Sequence, residues 1–365
     1  MRLDFFPSRT LTLYLARMFA TRILAVMIML VLILQMLDLL TESGKILAYR
    51  GNGEAQLWHY VTLRTPQLVA RFMPYSVLLA TLFTFVPLNQ NSEVVSMRAA
   101  GLSAHQILAP MLLTALFVSL ISFVFNERVV THSSAALKAW QAVKYGPIPP
   151  SSGARSNVYL RDGDNVLMAA TLSGTGAQTV MTGVTWYKRD PQMAILSQIR
   201  APRATFAAPG WKLESANQFD VQSALAKPLG TVILAEGVTP SQVAITGVDA
   251  DAQDIFSLKG SIDAMDAAGR RTAELKGKWW HKFSGPLSAL LMPLLGSVAA
   301  FGLARSGQLL VRAVIGMALG FTYFVIDNAA LAIGSFGGYP PLIAAWTPFL
   351  LFLLVGEAVL VRTEE

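Results

Sequence analysis

Side chains able to do covalent or metal chemistry are few in this chain of 365 residues, and they are scattered. The four histidines, His59, His105, His132 and His281, show none of the short spacings that bring two ligands to one metal. Cysteine is absent, which excludes thiolate nucleophiles, Cys-ligated metals and disulfide staples. There is no G-x-S-x-G elbow and no G-x-x-x-x-G-K-S/T phosphate loop. Ser43-Gly44-Lys45 is the nearest fragment, and it lacks the first glycine and the Ser/Thr. Asp162 and Asp164 could form a small cation loop, but Asp-Gly between two strand-like runs is first a hairpin turn. The expectation is no catalytic constellation, no metal and no cofactor, with the energy for any work coming from a partner.

With 53% hydrophobic and 14% charged residues, the chain is too apolar for an ordinary soluble domain. Runs near 18–40, 67–88, 104–125, 280–304, 309–333 and 341–361 each approach the roughly 20 apolar residues that cross a bilayer. They predict six spanning helices. The first run lacks a small-residue cleavage site and reads as a span, not a removed leader. The net charge of +7 lies largely beside these runs, which favours anionic lipid over nucleic acid. Arg2, Arg9 and Arg17 in the N-terminal tail, and Arg305 and Arg312 between spans four and five, place both termini in the cytoplasm.

Ionisable groups inside apolar runs are costly and usually face a bundle interior or a wet cavity. Gln35 and Asp38 lie one turn apart near the outer end of span one, Arg71 near the outer end of span two, and Asp327 in span five. For Asp327 a pairing or cavity-lining role and a near-interface position both remain open. Arg22 and Glu357 are close enough to the inner surface to snorkel. Pro74, Pro286 and Pro293 bend spans, and Gly316-Met-Ala-Leu-Gly320 is a G-x-x-x-G face for close helix contact.

Between spans three and four the pattern changes to alternation at period two. NVYLRDGDNVLMAATL, GVTWYKRDPQMAILSQIRA and RATFAAPGWKLESANQFDVQ each read as a strand pair about a turn, predicting an antiparallel sandwich or roll. GPIPPSSG (146–153) is a hinge-like lead-in, and 254–267 an amphipathic helix with Ile255, Leu258, Ile262 and Met265 on one side. The expected organisation is 1–126 with spans one to three, 127–275 as an outer β-domain, and 276–365 with spans four to six. Lys276, Lys278 and Lys282, with Trp279 and Trp280, form either an interfacial anchor belt or a phosphorylated-headgroup contact.

The polar interruption NSEVVSMRAAGLSAHQI (91–107) has its own helical pattern. Val94, Met97, Ala100 and Leu102 fall on one side, with Glu93 and Arg98 toward water. A segment patterned in this way suits docking.

NSEVVSMRAAGLS, VYLRDGDNVLMA, KWWHKFSGPLSALLMPLL and FTYFVIDNAALAIG, in this order around the β-domain, resemble the LptF/LptG permease family of the lipopolysaccharide-export ABC transporter. MLDLL in span one and FVID in span five look more like its LptG branch than its LptF branch. The resemblance implies six spans with an inserted periplasmic β-jellyroll-like domain in a Gram-negative inner membrane. It implies a second LptF-like permease, an LptB-like ATPase dimer, an LptC-like bitopic protein and an LptA-like bridge. On it, about 91–103 becomes the ATPase-coupling helix, carried by Glu93, Val94, Met97, Arg98 and Leu102, with Glu93 pairing with an arginine of the ATPase. Spans one and five line the lipid's path, making Gln35, Asp38, Lys45, Arg50 and Asp327 cavity or gate candidates. The family's basic residues at the end of span one are replaced here by Gln35, Thr41 and Glu42, so Lys45 and Arg50, or Lys278 and Lys282, are the candidate substitutes. A membrane-anchored sensor or scaffold is the competing class; it needs neither intramembrane acids nor a docking helix on the opposite side.

Overall fold

Apolar sequence in lipid must satisfy its backbone hydrogen bonds internally, which favours helix wherever hydropathy is high. The computed structural model describes residues 6–147, 155–173, 178–190, 192, 194–221, 223–239, 249–267, 270–297 and 309–362. Most of the GPIPPSSG hinge, Arg2 and Arg305 lie outside them, as does the Arg312 side chain.

Helices α1 (Arg9–Leu47) and α2 (Glu54–Gln90) form a long antiparallel pair, followed by the short α3 (Glu93–Ala99) and by α4 (Ala104–Phe125). After α4 the chain does not leave the helix. A π-turn (Asn126–Val130) leads directly into α5 (Thr131–Ala142), with the Thr131 hydroxyl donating back to the Glu127 carbonyl at 2.7 Å. The second half of the chain supplies α6 (Ile255–Ala267), α7 (Ala273–Gly296), α8 (Leu309–Ser335) and α9 (Pro341–Arg362).

Among the described residues five helical stretches are long and apolar enough to span: Arg9–Leu47, Glu54–Gln90, Ala104–Gln141, Ala313–Ser335 and Pro341–Arg362. The expected fourth span, 280–304, is covered by α7 only as far as Gly296; its first half carries Glu274, Lys276, Lys278 and Lys282. α7 nevertheless occupies the middle of the bundle, packed against α2, α4, α8 and α9. Its Leu291, Met292 and Leu295 are fully buried in a core shared with Val77, Phe85, Ile107 and Met111.

Two compact units divide the chain: Met1–Lys138 with Ala250–Ile262 and Arg271–Glu365, and Ala139–Asp249 with Asp263–Arg270. The first break therefore follows Lys138, not residue 126 as expected, because the helix of span three runs on through THSSAALKAWQA.

The second unit holds one antiparallel sheet, β1 (Arg155–Asp162), β2 (Asn165–Ser173), β3 (Val180–Arg189), β4 (Ile195–Ala207), β5 (Gly210–Asp220) and β6 (Ala226–Leu234), paired in chain order. Asp162 faces Asn165 across the first turn, where Gly163 takes φ +60°. The expected roll is a consecutive meander among the described residues, since each connection is short enough to pair chain neighbours. The second strand of the second expected pair and the first of the third are one strand, β4, and β6 was not anticipated. Leu167, Met181, Trp211 and Leu213 bury one face completely, and the Trp211 indole donates to the Val238 carbonyl at 2.7 Å. In α6, Leu258 and Ile262 are buried as their spacing predicts.

Candidate functional site

The polar segment between α2 and α4 is built as a stiff corner. α3 is two turns long, shorter than the expected 91–103, because Gly101 takes φ +91° and ends it. The Leu102 amide bonds to the Met97 carbonyl at 3.2 Å and the Gly101 amide to Arg98 at 2.9 Å, the paired bonds of a Schellman stop. One residue later Ser103 and Gln106 exchange side-chain and backbone hydrogen bonds at 3.0 and 3.1 Å, a capping box that starts α4. Val94 is 2% exposed and joins the chain's own core, with Met97 and Leu102 packed against that core. Those three coupling candidates seat the helix. The face left outward is Val95, Arg98, Ala99 and Ala100, and Glu93 accepts from the Tyr14 hydroxyl at 3.4 Å. Ala100, expected on the apolar side, is exposed because the helix has already ended.

At the end of the α1–α2 pair nearer their connection, Asp38 takes both the Arg64 guanidinium, at 3.0 and 3.1 Å, and the Tyr60 hydroxyl, at 2.5 Å. Gln35, one turn below, accepts from Thr65 at 3.4 Å. At the opposite end, Pro87 deprives the Phe83 carbonyl of its helical donor, and the Arg22 guanidinium supplies one. So Arg22 bridges to span two. Glu357, the other residue expected to snorkel, meets His105 at 3.2 Å.

A cavity of about 600 Å³ opens among α2, the α4–α5 turn, α7 and α8. Asp327 lies on its wall, 5% exposed, with one carboxylate oxygen 2.9 Å from His281 Nε2 and the other buried without a partner. Asp327 is thus both paired and part of the cavity lining. Tyr75 stacks on Phe324 on the same wall, with ring centroids 3.9 Å apart. Gln35 and Asp38 do not line this cavity, and Lys45 is held by Glu42 at 2.6 Å. Arg50 is exposed in the connection after α1.

The basic group ahead of the fourth span resolves into separate arrangements. Lys278 pairs with Glu274 along α7 at 2.8 Å and stays exposed. Lys282 is buried and meets Glu127 at 2.8 Å, while the second Glu127 oxygen accepts the Ile255 amide at 2.7 Å. Glu127 thus joins the π-turn, the start of α6 and α7. The Trp279 indole donates to the Ile255 carbonyl at 3.1 Å, which ties it to the start of α6. Sequence reasoning missed Glu127; the visible signal was an acid placed directly after an apolar run.

The G-x-x-x-G face is asymmetric. A Cβ on Gly320 would collide with the buried Leu78 side chain, whereas one on Gly316 would meet ordinary contacts at 3.4 Å.

Residues 13–362 match the family described as lipopolysaccharide export system permease LptF/LptG. The chain belongs to the LptF/LptG permease family. It is 25% identical over 367 residues to the lipopolysaccharide export system permease protein LptG of Escherichia coli (strain K12), covering 98% of this chain and 99% of that protein. It is 23% identical over 316 residues to the protein of the same name from Haemophilus influenzae, covering 84% and 86%. Membership in the LptF/LptG family and the five apolar helices make this a multi-pass membrane permease, and the names of both relatives favour the LptG branch.

Proposed function

We propose that the chain is the LptG-type permease subunit of an ATP-driven transporter that extracts lipopolysaccharide from the inner membrane and delivers it to a periplasmic bridge. ATP hydrolysis belongs to a separate ATPase dimer. Both termini and α3 face the cytoplasm, and the β-sheet unit faces the periplasm. A second, LptF-like permease completes the lipid enclosure, and LptC-like and LptA-like proteins carry the lipid onward.

The observation that carries this reading is the construction of α3. A helix seated in the core through Val94 and fixed by a Schellman stop and a capping box transmits a push to α2 and α4 instead of absorbing it. Glu93, Arg98 and the exposed Val95 are the proposed contacts with the ATPase, with Met97 and Leu102 holding the lever in place. The lipid passes between α1 and α8. Only 22% of the spanning window is buried in each of these two helices, against 44% in α2, so they present the most side-chain surface to lipid or to a second permease. Asp38 and Gln35 hold the α1–α2 seam, Asp327 lines the cavity, and Gly320 sets the α8–α2 approach. Lys45, Arg50, Lys276 and Lys278 stand at headgroup level, and Lys282 braces the cavity wall.

The test is co-expression with the candidate ATPase and second permease, followed by ATP-driven lipopolysaccharide release from proteoliposomes. Reversing one interfacial charge, Glu93→Lys, is expected to lower release about tenfold or more while membrane insertion is unchanged. A chain that never co-purifies with an ATPase, and whose Glu93→Lys variant leaves export intact, is a scaffold and not a permease.

A further inference from the structure

The cations around the cavity are nearly all spoken for. Arg64 is held by Asp38 and Gln67, Lys278 by Glu274, Lys282 by Glu127, and His281 faces Asp327; Lys138 has contacts of its own. Arg71 is different. It lines the same cavity, is exposed there, and makes no hydrogen bond or ion pair to any described residue. Its position is about one turn, roughly 6 Å, inside the apolar run 67–88 of span two. An arginine at that depth without a partner is costly unless water or an anion meets it.

Tyr75 follows Arg71 by four residues, so both stand on one face of α2, and both line the cavity. Its ring is fixed against Phe324, which holds the hydroxyl in a defined place. A guanidinium offers a planar fork suited to phosphate oxygens, and a phenol adds one more donor. Asn126 and Asn328 add neutral amides to the lining. Two acids share the lining: Asp327, with one oxygen 2.9 Å from His281 Nε2, and Asp251, which has contacts of its own. A space of about 600 Å³ is far larger than a single bound anion needs, and it leaves room for the body to which the anion is attached.

We propose that Arg71 is the primary ligand for a phosphate group of an anionic lipid headgroup drawn into this cavity, with the Tyr75 hydroxyl as its second donor. The proposal rests on the lipid-permease reading above and adds to it a span-two site in place of the cations that span one lacks. Lys45, by contrast, already has its carboxylate in Glu42.

The experiment compares the full chain with Arg71→Gln, Arg71→Lys and Tyr75→Phe in nanodiscs, by native mass spectrometry of retained lipid. The probes are bisphosphorylated lipid A, dephosphorylated lipid A, phosphatidylglycerol and inorganic phosphate. Arg71→Gln is expected to weaken bisphosphorylated lipid A by about tenfold or more, Arg71→Lys by less, because loss of a charge-assisted pair costs at least one decade of affinity. Dephosphorylated lipid A should bind both forms equally, and unchanged thermal unfolding should separate a lost site from a lost fold. Equal retention of bisphosphorylated lipid A by Arg71→Gln and the unaltered chain overturns the proposal. So does Arg71-dependent capture of inorganic phosphate with no lipid preference. Arg71-dependent retention of phosphatidylglycerol, with neither form of lipid A bound, upholds the headgroup site and sinks the lipopolysaccharide reading instead.

Discussion

Glu127 meets three pieces of structure with two carboxylate oxygens: it sits in the π-turn, caps the start of α6 and balances the buried Lys282 of α7. Because Lys282 has only 8% of its side chain exposed, removing its counter-charge leaves a cation stranded. Glu127→Gln should therefore cost about 3 kcal/mol, and the double variant Glu127→Gln with Lys282→Met should recover most of it. Thermal unfolding in detergent measures both. The Glu127–Lys282 pair was illegible in the sequence because its members stand 155 residues apart and nothing local announces which acid meets which lysine. Asp38 shows the intermediate case. A carboxylate in an apolar run demanded a partner, but only the antiparallel register of α1 on α2 chose Arg64 and Tyr60.

Among elements, α3 depends on a backbone conformation as much as on its side chains. Gly101→Val puts a β-branched residue at φ +91° and should cost about 1–2 kcal/mol locally. The expected result is faster amide exchange at Leu102 and Ser103 and less lipid moved per ATP, with the ATPase still bound. If transport per ATP is unchanged, stiffness at this corner plays no part in coupling. The helical pattern of 91–107 was readable, yet the length was overestimated because period alone does not show where φ turns positive. The sheet was read through its turn residues, and the same logic produced its error. Pro202 looks like a break, but it sits within β4, whose neighbours Ala201 and Arg203 pair with Val184 and Thr182 of β3. β6, with Pro228 and Gly230 in it, offered too weak an alternation to be seen.

At the scale of the whole chain, absence of cysteine provides a clean orientation test. Single Ala99→Cys on α3 and Thr231→Cys on β6 are both exposed positions. A membrane-impermeant maleimide should label Thr231→Cys in intact spheroplasts and Ala99→Cys only in inverted vesicles; the reverse pattern overturns the topology. The long apolar helices and the inserted β-unit were legible because bilayer thickness and strand period impose lengths that composition cannot hide. The unit boundary at Lys138 was not, since a polar helix and a domain linker share composition. The α1–α2 seam has a mechanical meaning of its own. It is bolted at both ends, by Asp38 to Arg64 near the α1–α2 connection and by Arg22 to the Phe83 carbonyl at the other end. Drawing both bolts at once strands a carboxylate and a bare carbonyl in hydrocarbon, whereas drawing one lets the helix swing about the other. Loss of either tie alone therefore leaves α1 held by the other, and only loss of both frees it from α2.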